Sequence, residues 1–110
     1  MKSMKNILNK DFKDYSFKAK VWKYEGPKGW YFASVPKGLS KDIRAIHQDS
    51  EEGWGRLRAE ILINKTQWKT SIWFDSKRDC FLVPIKSQVR QKEGITDGSD
   101  VGILLRIKIF

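Results

Sequence analysis

Cysteine and histidine are nearly missing from this chain: Cys80 and His47 are the only ones in 110 residues. A lone cysteine excludes an internal disulfide and any site built from several thiolates. One His and one Cys leave zinc ligation and Cys-His nucleophilic catalysis without their parts. No P-loop, dinucleotide-type glycine turn or nucleophile elbow is present. No metal, no cofactor and no catalytic residue is therefore expected. No apolar run is long enough to cross a bilayer, so no membrane partner is expected. The N-terminal stretch has no apolar run beyond Ile7-Leu8, so no secretory leader is expected. The expected compartment is reducing and cytoplasmic. Acidic residues are scarce as well, 13 against 22 Lys and Arg, which leaves a net charge of +9. That balance favours anionic partners, nucleic acid or a small anionic ligand.

What is present is a globular composition. Hydrophobic residues make up 40% and charged residues 32%, too apolar for a disordered chain and enough for one core. Five Trp and six Phe can fill a small barrel or lie on a binding face. A monomer is expected.

Residues 1–14 lack periodicity and read as a flexible basic arm. From there the pattern is dominated by strands. Phe17, Ala19 and Val21 alternate with Lys18, Lys20 and Trp22 in a strand over Tyr15 to Tyr24. Glu25 to Gly29 is turn chemistry, and Trp30 to Val35 completes a hairpin that Pro36 stops. Ser40 reads as the N-cap of a helix over Lys41 to Gln48. His47 would lie at its end, where a protonated imidazole suits the helix dipole. A strand over Trp54 to Asn64 turns Leu57, Ala59, Ile61 and Ile63 to one face and Arg56, Arg58 and Glu60 to the other. In the next strand, Gln67 to Asp75, Trp68, Thr70, Ile72 and Phe74 oppose Lys69, Ser71 and Trp73. After a polar loop comes a strand over Cys80 to Val83, with Cys80 read as a small buried residue. Pro84 would open a second helix, ending at Glu93 with Gly94 as its left-handed cap and Ile95 beyond it. The last strand runs from Val101 to Phe110.

One phrase occurs twice: an apolar strand ending in Val-Pro, a short helix, and another strand. Val21-Trp22 aligns with Ile72-Trp73, Val35-Pro36 with Val83-Pro84, and Trp54 to Ile63 with Val101 to Phe110. Two β-β-α-β halves, about 15–64 and 67–110, form one domain over 15–110. Each half alone exposes strand edges, and mating the halves removes them. The fold expected is mainly β: a six-stranded, pseudo-two-fold barrel with two short helices.

Two resemblances point the same way. From Val83 the order Val-Pro, Val-Arg, then Gly-Ile-x-x-Gly-x-x-Val resembles the swapped-hairpin core of the AbrB and MazE transcription-factor family, over about a quarter of the chain. The helix between Pro84 and Gly94 is two residues longer than in that family, and Glu93 replaces an apolar residue. Trp30-Tyr-Phe with Val35-Pro36, Gly53-Trp-Gly-Arg56, Trp68-Lys-Thr-Ser71, and Leu82-Val-Pro-Ile-Lys86 with Val89-Arg90 resemble the bacterial domain of unknown function DUF1905. That family is often found beside a YdeI/OmpD-associated segment, which is missing here. The resemblance implies a double-split β-barrel, the single-chain relative of the AbrB dimer, and supplies no activity.

The chemistry that remains is basic. Lys86 and Arg90 are four apart on one helical face, where a bound anion would relieve their repulsion. Arg56, Lys69 and Ser71 lie on polar strand faces, and Trp54 or Trp73 could wall a pocket and stack a ring. If these residues meet at one end of the barrel, they form an anion site. The alternative is that the charges are solvated and the tryptophans are core. The function expected is a non-catalytic binding module for an anionic partner, nucleic acid leading. A small anionic metabolite in the same pocket is the second reading. A protein-interaction or stress-resistance module docking on an exposed Val101 to Phe110 edge is the third.

Overall fold

The computed structural model describes residues 11–109, apart from the side chain of Trp54. Residues 1–10 of the expected arm and Phe110 lie outside the described residues. The strands are β1 (Phe12–Lys23), β2 (Tyr31–Ser34), β3 (Arg56–Ile63), β4 (Thr66–Asp75), β5 (Cys80–Pro84) and β6 (Asp100–Lys108). The helices are α1 (Lys37–His47) and α2 (Ser87–Glu93), and 3₁₀ turns span Gln48–Ser50 and Gly53–Gly55. Phe12, Lys13 and Asp14, read from sequence as arm, begin β1 and pair with Lys108, Ile107 and Arg106.

The strands close into one barrel in the order β1-β2-β5-β4-β3-β6, every pairing antiparallel. Exchanging β1, β2 and β3 with β4, β5 and β6 maps this ring onto itself. The repeated phrase is therefore a repeated topology. β2 meets β5 and β3 meets β6 across the pseudo-two-fold axis. β6 is paired on both sides, with β1 and β3. Over Leu104–Ile107 a strand lies on each side of β6, so that stretch of the expected docking edge is covered.

The core follows from the alternation. Val21, Ala33, Leu57, Ile61, Ile72, Phe81, Val83 and Leu105 point inward and are essentially inaccessible. Each of the Val, Leu, Ile and Phe side chains among them contributes about 1.5–3 kcal/mol when fully buried. The helices cover the two mouths. α1 follows β2 and inserts Ile43 and His47 at the end where β4 finishes. α2 follows β5 and inserts Val89 at the other end. There Glu93 accepts hydrogen bonds from Asn64 and Thr66 at the β3–β4 turn, which hold its carboxyl below the usual range. α2 stops at Gly94, in the left-handed region at φ 65°, with Ile95 buried beyond it and donating to the Arg90 carbonyl.

Both helix starts differ from the sequence reading. α1 begins at Lys37, because Pro36 already has extended backbone and its carbonyl accepts the Ser40 amide at 2.8 Å. Ser40 is inside the helix and buried rather than a cap. Its hydroxyl donates to the Val35 carbonyl and accepts from the Phe81 amide, tying α1 to β5. Pro84 does not open α2; it is the last residue of β5, opposite Phe32, and the helix starts at Ser87.

His47 is also corrected. It is 2% exposed, and its Nε2 lies 2.8 Å from the Tyr15 hydroxyl. Burial, with Lys13 adding to it, pushes the imidazole below its ordinary pKa, so it is neutral at neutral pH rather than a charged partner of the dipole. Burial, helped by Asp42, pushes Tyr15 up to about 12, so its hydroxyl keeps its proton.

Candidate functional site

The outer face of the barrel carries an aromatic stripe. Along β1, the residues opposite the core positions include Trp22; along β4, they include Trp73. Cross-strand pairing sets Trp22 beside Phe32, and Trp73 beside both Leu82 and Arg56. Trp22 and Trp73 are the aligned positions of the two halves, so they flank the β2–β5 pair from either side. Phe32, Cys80 and Leu82 form a small second core beneath them, with Trp22 packed against it.

Trp30, just before β2, completes the cluster. Its ring is stacked on Phe32 with centroids 5.7 Å apart and lies 5.4 Å from Trp73 at a tilt. Tyr24 meets Phe32 edge-on at 6.2 Å. The tight turn after Tyr24 holds that ring. A Cβ on Gly26 would come within 2.6 Å of Tyr24 Cε2, so any other residue there would displace it. These rings enclose an open cleft of about 640 Å³, with Trp30, Phe32 and Trp73 among its walls. Phe32 is the floor at 5% exposure, whereas Tyr24, Trp30 and Trp73 are 44, 39 and 37% exposed. Three large rings sharing one wet cleft are more than scattered surface apolar residues require.

The rim is cationic. Lys28, Lys77 and Arg78 line the cleft. Arg78 lies over the Trp22 ring at 4.4 Å and donates to Asp75 Oδ2 at 2.6 Å. That hydrogen bond, first among several, holds the Asp75 carboxyl below its ordinary range. Asp75, the acid lining the cleft, is thus already paired. Trp22 donates its indole N–H to Ser34 Oγ at 3.0 Å, which fixes its ring under Arg78. The arrangement can stack a planar group between aromatic faces and hold negative charge at the edge.

The residues singled out in the sequence do not gather at one place. Trp73 is a cleft wall, and Arg56 is its cross-strand neighbour, exposed and without an ion pair among the described residues. Ser71 lies opposite Arg58, and Lys69 opposite Glu60, one step and two steps further along the same outer face. The side chain of Trp54 lies outside the described residues. Lys86 and Arg90 are at the other mouth, with α2. Arg90 stacks on the Tyr31 ring at 3.8 Å and donates from Nε to the Ile85 carbonyl at 3.1 Å. Its guanidinium fastens α2 to the barrel.

Sequence reasoning missed Trp22, Tyr24, Trp30 and Phe32 as parts of one site. A signal existed: Trp22 and Trp73 both fall on the polar side of an alternating strand, at aligned positions. Among the described residues, no group of three or more His, Cys, Asp or Glu is placed to hold a metal ion. No helix among them is long and apolar enough to cross a membrane.

A family model of the domain of unknown function DUF1905 matches residues 17–105, from within β1 to within β6. No curated protein matches the chain. With the match running through all six strands and both helices, the chain belongs to the DUF1905 family.

Proposed function

We propose that this protein is a non-catalytic binding module for an anionic partner carrying planar rings, with nucleic acid as the ligand class. The observation that carries the reading is the cleft of Tyr24, Trp30 and Trp73 rimmed by Lys28, Lys77 and Arg78. Unstacked bases have two apolar faces and a charged backbone, so they match both halves of that description. A cationic planar ligand would meet repulsion from the rim, and a purely aliphatic anion would leave the rings unused. The net charge of +9 supports the same sign of partner.

A small anionic metabolite is the second reading, because about 640 Å³ lies within the range of small-molecule sites. Its place is the aromatic cleft, since Lys86 and Arg90 stand at the opposite mouth from Trp73. Tryptophan fluorescence decides between ligand classes. Stacking on Trp30 or Trp73 quenches emission, and the titration is run with mononucleotides, single-stranded oligonucleotides and ring-free anions such as citrate. Quenching by nucleotides that weakens steeply with salt supports the proposal. Equal response to citrate, or no quenching by any nucleotide, rejects it.

A further inference from the structure

A second groove lies beside the cleft, on the far side of the β4–β5 turn. It has a volume of about 650 Å³ and is lined by Lys37, Lys41 and Arg44 of α1, by Phe74 and by Asp79. The cleft and the groove share Phe74, and residues 75–79 form the ridge between them. Lys77 and Arg78 sit on that ridge, on the cleft side. From one depression to the other, the surface therefore reads as rings, then two cations, then a row of cations.

The row is built by the helix. Lys37, Lys41 and Arg44 are spaced four and three apart, which puts them on one face over roughly 10 Å of axis. Like charges so spaced repel one another by a few tenths of a kcal/mol per pair. Arg44 is partly answered: its Nε lies 3.2 Å from Glu51 Oε2 and its guanidinium covers the Phe74 ring at 4.0 Å. Lys37 and Lys41 have no ion pair among the described residues. Asp79 is the one carboxylate in the lining. At the other mouth, the arginine of α2 lies over Tyr31.

We infer that the groove along α1 is a second, phosphate-holding subsite, so that the ligand is a single strand of several nucleotides rather than a mononucleotide. This rests on the stacking role of the cleft. The bases occupy the rings, the backbone crosses Lys77 and Arg78, and the following phosphates lie along Lys37 and Lys41. A mononucleotide fills the first depression alone and gains nothing from the second. Two linked subsites raise affinity through effective concentration once the strand is long enough to reach both.

The test is a length series of oligothymidylates, from the dinucleotide to the dodecanucleotide, titrated by tryptophan quenching at two salt concentrations. The wild-type chain is expected to bind the long members at least roughly tenfold more tightly than the shortest. In Lys37→Glu/Lys41→Glu that ratio collapses towards one, and the salt slope for the long members falls by about 0.7 per lost phosphate contact. Lys37→Gln/Lys41→Gln shows a smaller loss in the same direction and guards against an effect of reversed charge alone. Both lysines are exposed, so an unchanged melting temperature certifies the fold. Quenching that is independent of length, or a length gain that survives both double variants, overturns the second subsite and leaves the stacking cleft standing. No quenching by any member overturns both.

Discussion

At one mouth of the barrel, Lys37 and Lys41 stand without ion pairs among the described residues along an open groove; at the other, Arg90 lies over the Tyr31 ring and is bonded to the Ile85 carbonyl. The two mouths come from the same plan. Each is covered by a short helix that follows a strand ending near a Val-Pro step, and each helix carries basic residues. They differ in what the cations touch. Around α2, Arg90 is taken up by the Tyr31 ring and the Ile85 carbonyl, while Lys86 and Lys92 are exposed. Around α1 the helix stands off the β4–β5 turn and the charge faces water. The two mouths of the repeated scaffold thus differ in the open groove that α1 leaves beside the β4–β5 turn.

The largest effect expected is on stability, and it tests whether the α1 mouth is as firmly built as the other despite its groove. Ile43 is fully buried, and Ile43→Ala should cost about 2–5 kcal/mol in a urea unfolding titration. Val89→Ala, which removes less from the α2 mouth, should cost less. A reversed order would show that α1 is the looser lid.

Next in size is binding. Trp30→Ala and Trp73→Ala should each weaken single-stranded oligonucleotide binding by about 1–3 kcal/mol, read as a change in dissociation constant. Arg90→Ala, at the opposite mouth, should leave that constant unchanged. Weakening by Arg90→Ala to a similar degree would erase the distinction between the mouths. The same substitution should lower stability by about 1 kcal/mol through the lost ring contact and carbonyl bond, whereas Lys41→Ala should stay within about 0.5 kcal/mol of wild type.

The most modest contrast is with pH. His47 has a folded-state pKa below its ordinary 6.5, so the unfolded chain binds its proton first. Its contribution is complete above pH 6.5 and is lost as pH falls from there through the folded value. Glu93, at the α2 mouth, has its pKa depressed from 4.5, so its contribution persists until the pH falls below 4.5. On acidification, amide protection, taken relative to the unfolded-chain exchange rate at each pH, should therefore fall in α1 before α2. His47→Asn should abolish the early phase.

The strands were legible because their signal is local. Phe17, Ala19 and Val21, or Leu57, Ala59, Ile61 and Ile63, announce their inward face within a few residues. The barrel was legible because the phrase repeats. The site was not, because it is assembled across β1, the turn after it, β2, β4 and the β4–β5 turn, and alternation alone does not say which outward faces become neighbours. Trp22 and Trp73 are fifty-one positions apart yet flank the same strand pair. The α1 groove was hidden by a more specific error. Ser40 has the chemistry of a cap, and giving it that role begins the helix too late to include Lys37. Its hydroxyl instead serves Val35 and Phe81, a pairing forty-one residues long that no nearest-neighbour preference encodes. His47 misled in the same way, since its partner Tyr15 is thirty-two residues upstream.

The pairing of β1 with β6 runs from Phe12 opposite Lys108 to Lys20 opposite Asp100. During synthesis β1 therefore waits until Asp100–Lys108 has been made before its second neighbour emerges from the ribosome. Contacts of such long separation make for slow folding. Until then the nascent first half presents unsatisfied backbone along one side, the condition in which chaperones and stray self-association compete for a chain.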